Sequence, residues 1–167
     1  MAFENETLHS GNKLGKDEWL TPPEIIKALG EFDLDPCSPI IRPWDTAKNH
    51  YDERSSGLIL PWECRVWCNP PYSAGLGKWL EKCAMHQNCI ALTFARTETQ
   101  TFFNYVWNQA YAVLFIKGRL CFYGVDGLVH GNAGAPSILI AYDEHNAQML
   151  EKSKIKGKFI KLKSCNN

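Results

Sequence analysis

Arg65-Val66-Trp67-Cys68-Asn69-Pro70-Pro71-Tyr72 is the stretch whose reading decides the fold. Arg65 to Cys68 is a short apolar strand candidate, and it stops at two consecutive prolines. A strand that ends this way places Asn69 to Tyr72 at the carboxyl edge of a sheet, where open α/β proteins bind their ligands. Each proline fixes its own φ, removes a backbone N–H, and pushes the residue before it, Asn69 or Pro70, into extended geometry. The loop is therefore stiff, with outward carbonyl oxygens and few competing donors. Asn69 adds a side-chain amide oxygen, and Tyr72 adds a flat aromatic face with a polar tip. Oxygen acceptors beside a stacking ring suit a nitrogen that carries two protons and sits on or near a planar group. Adenine N6, cytosine N4 and a glutamine side-chain amide all meet that description.

Outward from this corner, strand and helix patterns alternate. On the carboxyl side, Leu76 to Ala84 has helical spacing of apolar residues, and Cys89 to Phe94 reads as a buried strand. Phe102, Phe103, Val106 and Trp107 form one apolar helical face. Tyr111 to Ile116 is another buried strand, Arg119 to Tyr123 is strand-like, and Val125 to Gly134 is a glycine-rich loop beside the ligand edge. Ala135 to Tyr142 supplies a last core strand, expected to pair antiparallel with an earlier one. On the amino side, Thr21-Pro22-Pro23-Glu24 predicts a helix start with Thr21 as N-cap, Pro22 at the first helical position and Glu24 in a capping box. Gly30 ends that helix. Phe32-Asp33-Leu34-Asp35-Pro36-Cys37 reads as the first strand of a nucleotide-binding sheet, with turn chemistry as the local reading of Asp33 and Asp35. The glycine-rich turn expected after it is absent, and Ser38-Pro39-Ile40-Ile41-Arg42-Pro43-Trp44 stands in its place. Residues 45–62 read as loop with a short helical piece, in which Tyr51, Asp52 and Glu53 stand out. The alternation predicts an α/β three-layer sandwich.

The chain has 167 residues, which predicts one domain that buries roughly 70% of its unfolded surface. Residues 1–16 read as a flexible polar arm and residues 17–163 as the domain. The 18 basic and 18 acidic residues cancel, so a nucleic-acid footprint must come from a local patch. Six lysines between Lys152 and Lys163 form a basic tail, read as solvated. Seven cysteines, an odd number at scattered spacing, predict reduced thiols in a cytosol. Their spacing does not match paired zinc knuckles, so no metal is expected and buried small hydrophobes are. The amino-terminal segment has no apolar core of the kind a signal peptide needs, and no apolar stretch is long enough to span a bilayer.

Asn69-Pro70-Pro71-Tyr72 resembles the Asp/Asn-Pro-Pro-Tyr signature of amino-methyltransferases that use S-adenosylmethionine. Together with Asp17-Glu18-Trp19-Leu20-Thr21-Pro22, Phe32 to Cys37, Ala95-Arg96-Thr97-Glu98-Thr99 and Gly118-Arg119-Leu120-Cys121-Phe122, it resembles the phage-type DNA N-6-adenine-methyltransferases, over about Asp17 to Tyr142. The resemblance implies a Rossmann-like methyltransferase fold, with a mostly parallel sheet and an antiparallel strand near the carboxyl terminus. It implies S-adenosylmethionine as cofactor and DNA as partner, with no membrane, in the cytoplasm of a bacterial host cell. It also implies a phage or prophage setting, such as protection from restriction. By the same likeness, Trp19, Thr21, Pro22, Asp33, Asp35, Cys37 and Asn69 are cofactor-binding candidates, with Asp35 beside the cofactor's amino group. Ser73, Tyr72, Arg96, Thr97 and Arg119 are substrate-binding candidates. Trp19 and Thr21 are also read as staple and cap, and Arg96 as a partner for Glu98.

The expected chemistry is methyl transfer to adenine N6 by Asn69, Pro70, Pro71 and Tyr72. Tyr72 stacks on an extruded base, while the Asn69 amide oxygen and the Pro70 carbonyl accept the two amino protons. Another reading keeps the methyl chemistry and changes the acceptor to rRNA or a protein glutamine. A reading from a different class is a non-catalytic nucleic-acid-binding relic, supported by the missing glycine turn.

Overall fold

The computed structural model describes residues 19–72 and 75–163, with the backbone alone at position 130. The expected arm over residues 1–16, the candidate Ser73, and the quoted Asp17, Glu18, Ala74 and Cys165 lie outside the described residues. In chain order the elements are α1 (Pro23–Leu29), β1 (Leu34–Asp35), β2 (Asn49–His50), β3 (Val66–Cys68), α2 (Leu76–His86), β4 (Cys89–Phe94), α3 (Gln100–Phe102) with a π-helical turn at Phe103–Trp107, β5 (Ala112–Ile116), β6 (Cys121–Tyr123), β7 (Val129–Asn132), β8 (Ser137–Ala141), α4 (Glu144–Lys152) and β9 (Gly157–Lys161).

Seven strands form one sheet in the order β2-β1-β3-β4-β8-β5-β9. β1 runs parallel to β2 and to β3, and β3 parallel to β4. β8 lies antiparallel between β4 and β5, and β9 is antiparallel to β5. β5 therefore points the same way as β4, so five of the seven strands share one direction and β8 and β9 oppose it. The expected antiparallel pairing of the last core strand is the β8 pairing.

Side chains of a strand alternate between faces, and here each face has its own helical cover. Val66, Cys68 and Ala91 pack with Trp79, Leu80 and Cys83 of α2 and with Phe102 and Val106. Trp67, Ile90 and Leu92 point the other way, toward Ile25 and Leu29 of α1 and Ala147 and Leu150 of α4. The sheet is thus the middle of three layers. Each large apolar side chain sealed between them stabilises the fold by about 1.5–3 kcal/mol. Cys68, Cys83 and Cys89 are fully buried in this core, whereas Cys64 and Cys121 are exposed.

A separate two-stranded sheet, β6 with β7, is tied to the amino-terminal segment at Leu20, which exchanges backbone hydrogen bonds of 2.9 and 3.1 Å with Tyr123. Part of the expected loop over residues 125–134 is therefore the strand β7. Two further stretches read as irregular are strands: β2 lies within residues 45–62, and the lysine tail carries β9 on the open edge of the main sheet. Phe103 is 49% exposed and departs from the expected apolar face, because the π-helical turn that begins there shifts the side-chain phase.

The start of α1 also differs from expectation. Pro22 is the N-cap, with ψ 132°, Pro23 takes the first turn, and no side chain among the described residues caps the helix. A residue that precedes proline is driven out of the helical region. With prolines at 22 and 23, Pro22 stays extended and helix begins one residue late. Thr21 and Glu24 consequently form no capping box.

Candidate active site

Parallel pairing builds the site. Leu34 stands opposite Val66 and Asp35 opposite His50, so the segments that follow β1, β2 and β3 leave the sheet side by side. They carry Asp35-Pro36-Cys37, Tyr51-Asp52-Glu53 and Asn69-Pro70-Pro71-Tyr72 to one edge. Ala95 and Arg96 reach the same edge from β4, which pairs in register with β3.

Asn69 is held from two sides. Its Nδ2 donates to the Trp19 carbonyl at 2.9 Å, and its Oδ1 accepts from the Tyr72 hydroxyl at 3.0 Å. A carbonyl can only accept, so the amide nitrogen must face Trp19 and the oxygen must face Tyr72. One lone pair of Oδ1 remains for a ligand. Burial pushes the Tyr72 phenol well above its ordinary pKa, with the Cys37 and Cys68 thiols adding in the same direction, so it stays a neutral donor. The ring of Tyr72 lies 4.2 Å from that of Phe94 and 6.4 Å from that of Phe122. Among the described residues, no backbone N–H donates to the Pro70 carbonyl.

A cavity of about 300 Å³ opens beside this corner, lined by Trp19, Cys37, Glu53, Gly57, Asn69 and Trp79 among others. That is the lower end of the size of small-molecule sites. A narrow crevice adjoins it and shares Trp19, Cys37, Pro39 and Asn69, adding Thr21, Asp35 and Thr46. The Asp35 carboxylate accepts from the Cys37 N–H at 3.1 Å and from the Thr46 hydroxyl. Burial pushes its pKa up to about 6 against the opposing pull of those two donors. The Thr21 hydroxyl is buried in the same crevice with no hydrogen-bond partner among the described residues. A buried orphan of this kind is costly unless a ligand meets it.

The polar groups at the two voids differ in kind, and of the two only the cavity has room for a small molecule, the crevice being water-sized at about 10 Å³. A carboxylate able to hold an ammonium and a hydroxyl able to meet a carboxylate lie at the crevice, whereas Asp52 and Glu53 line the cavity. Asp52 is committed to Arg54 at 2.9 Å. Glu53 is exposed and forms no ion pair with a described residue, which leaves it to accept from hydroxyls. Tyr51, by contrast, donates its hydroxyl to the Pro61 carbonyl and does not line the cavity.

The remaining sequence candidates are placed as follows. Pro71 lines the cavity, while Pro70 is buried behind it. Pro22 and Asp33 line neither the cavity nor the crevice. Asp33 instead accepts from the Arg65 N–H at 3.1 Å and pairs with Lys48 at 3.1 Å. Those bonds, the Arg65 N–H first, hold its carboxyl below the usual range. Arg96 is exposed and forms no ion pair with Glu98 among the described residues, and the Thr97 carbonyl accepts from the Trp107 indole at 3.2 Å. Arg119 sits in a different hollow, lined in part by Cys121 and Tyr123 of β6.

Sequence reasoning missed Gly57 and its supports. A Cβ at Gly57 would lie 1.9 Å from the Pro36 carbonyl oxygen, so only glycine lets the two loops meet. The Gly57 carbonyl accepts from the Trp62 indole at 2.8 Å and from Lys82 Nζ at 3.0 Å, and Lys82 also binds the carbonyls of Leu58 and Leu60. A glycine therefore does stand against the turn after β1, contributed by a later loop. The lone glycine of Ser55-Ser56-Gly57 is the signal that pointed to it.

No curated protein and no solved structure matches the chain. A family model does, over residues 9–157, a span that holds both voids, the diproline corner and its Asn69–Tyr72 bond, and on that match the chain belongs to the DNA N-6-adenine-methyltransferase (Dam) family.

Proposed function

We propose that the protein transfers the methyl group of S-adenosylmethionine to the N6 amino group of adenine in DNA, on a Rossmann-like methyltransferase fold. The observation that carries this reading is the oriented Asn69 amide, whose Nδ2 is held by the Trp19 carbonyl and whose Oδ1 is held by the Tyr72 hydroxyl, at the wall of a nucleoside-sized cavity. When bound, S-adenosylmethionine supplies an electrophilic methyl group.

The chain's own residues do the rest. Asp35 holds the cofactor's ammonium and Thr21 its carboxylate, Glu53 accepts from the ribose hydroxyls, and the apolar wall from Cys37 to Trp79 encloses the base. Trp19 covers the junction of cavity and crevice, and its carbonyl keeps Asn69 in place. Tyr72 offers an aromatic face to an adenine that has left the helical stack, since N6 is out of reach within a duplex. Asn69 Oδ1 and the Pro70 carbonyl accept the amino protons and strengthen as positive charge builds on nitrogen. That is the interaction that lowers a barrier. No general base is needed before attack, because the two acceptors turn the N6 lone pair, otherwise conjugated with the ring, toward the methyl group. The S–C bond would break as the N–C bond forms, leaving a neutral thioether, and the surplus proton would leave N6 for solvent afterwards.

The test combines calorimetry with transfer of a labelled methyl group to DNA, RNA and protein offered separately. Saturable S-adenosylmethionine binding and label recovered as N6-methyladenine after nuclease digestion are expected. Label appearing in RNA, in glutamine or in cytosine would overturn the assignment, and absence of cofactor binding would return the chain to a non-catalytic role.

A further inference from the structure

A second, larger hollow of about 560 Å³ lies outside the cofactor cavity and shares no lining residue with it. Two turns far apart in sequence meet there. The turn after β5 brings Lys117 and Arg119, and the turn between α4 and β9 brings Lys154 and Lys156. Pairing of β5 with β9 joins them, with Ile116 opposite Gly157 and the Lys117 N–H bonded to the Lys156 carbonyl at 2.8 Å. All four cations are exposed, and none forms an ion pair with a described residue. Glu24 is the one carboxylate among the lining residues.

In a chain whose charges cancel, four cations without an ion-pair partner among the described residues make the rim of this hollow a local positive patch, which favours an anion with several charges. The position of the hollow says which anion. Its wall is β6: Cys121 and Tyr123 line it, while Phe122 between them is buried, with its ring 6.4 Å from that of Tyr72. β5 also points the same way as β3, so the turn that carries Lys117 and Arg119 leaves the sheet at the same carboxyl edge as the diproline corner.

We infer that this hollow binds the phosphodiester backbone of the DNA, so that Lys117, Arg119, Lys154 and Lys156 set the register of the strand whose adenine is presented to Tyr72. The inference rests on the DNA reading above and adds the surface that anchors the substrate. Such contacts carry no sequence information but supply affinity and orientation. The basic tail, read from sequence as solvated, contributes through its turn rather than as a loose polycation.

The test is the salt dependence of binding to a mixed-sequence DNA duplex, by fluorescence anisotropy, for the wild type, Lys154→Gln/Lys156→Gln and Lys117→Gln. Each phosphate contact contributes a slope of about 0.9 in log K against log salt, so the double variant should lose about 1.8 and the single variant about 0.9. Affinity at low salt should fall roughly tenfold or more in the double variant. S-adenosylmethionine affinity and the melting temperature should not change, which separates a binding defect from misfolding. DNA binding with an unchanged slope in both variants overturns the inference and leaves the methyltransferase reading intact. Loss of affinity for an RNA duplex alone, with DNA binding unaffected, overturns it too. Failure of the wild type to bind or methylate any DNA instead overturns the reading on which it rests.

Discussion

The Tyr72 hydroxyl donates to Asn69 Oδ1 at 3.0 Å, so the residue assigned to stack on the base also aims the residue assigned to hold its amine. Removing the hydroxyl alone should loosen that aim. A neutral hydrogen bond contributes about 0.5–1.5 kcal/mol, so Tyr72→Phe is expected to lower kcat roughly two- to tenfold with little change in cofactor affinity. Asn69→Ala removes the acceptor itself, whose bond to developing charge is worth about 1.5–3 kcal/mol, and should lower kcat roughly ten- to a hundredfold. Steady-state kinetics on DNA beside calorimetry with S-adenosylmethionine checks both. Full turnover in Asn69→Ala would remove the proposed role.

Asp35 gives the site a pH dependence of known sign. Its folded pKa of about 6 lies above the ordinary 3.8, so the folded protein holds the proton more tightly than the unfolded chain does. The associated stability is present below about pH 4 and is lost as pH rises through about 6. An ammonium favours the ionised carboxylate, so cofactor affinity should rise across this same window, by at most about tenfold per pH unit, and level off above it. Asp35→Asn should flatten the profile and weaken binding at pH 7. Titrations from acid to neutral pH are the check, and a flat wild-type profile would exclude the Asp35–ammonium pair.

What was legible in the sequence follows from where the information is local. Cys89 to Phe94 and Ala112 to Ile116 are apolar runs, because both faces of a central strand are covered, and they read as strands without further help. The diproline corner is equally local. Asn49–His50, by contrast, is a polar two-residue strand that exists only because β1 lies beside it. Gly157–Lys161 carries lysines, as an edge strand does to discourage further pairing, and the same lysines made it look like a tail. Thr21-Pro22-Pro23-Glu24 predicts Thr21 as a cap by a rule that holds for one proline and fails for two. Its hydroxyl has no partner among the described residues and lines the same crevice as Asp35, a fact no local pattern carries.

Gly57 should resist substitution although it lies in a loop. A methyl group there would overlap the Pro36 carbonyl, and the Gly57 carbonyl is pinned by Trp62 and Lys82, so the loop cannot simply retreat. Gly57→Ala is expected to destabilise the fold by about 1–3 kcal/mol, as overpacking does, and to reduce cofactor affinity more than DNA affinity. Chemical denaturation and calorimetry would report the two effects separately. Wild-type cofactor affinity in this variant would mean that the two loops can part without reshaping the cavity.

Arg65 marks the opposite case, a charged residue at the start of the deciding stretch whose work is structural. Its guanidinium donates to the carbonyls of Leu29 and Glu31 at 2.9 and 2.8 Å and to Asn146 Oδ1 at 2.8 Å, and it lies 4.2 Å over the Phe32 ring. It thereby joins the end of α1, the turn into β1 and the start of α4. Desolvation lowers its pKa, but an arginine stays charged, and the planar fork reaches all three acceptors together. Lysine presents a point charge and cannot do so. Arg65→Lys should cost about 1–3 kcal/mol and Arg65→Met, which strands every acceptor, about 3–5 kcal/mol. Both variants should bind S-adenosylmethionine normally well below their melting temperatures, since no Arg65 contact reaches the cavity. Urea unfolding with an unchanged m-value would establish the loss as one of stability, whereas a Lys variant as stable as the wild type would show that the fork geometry is dispensable.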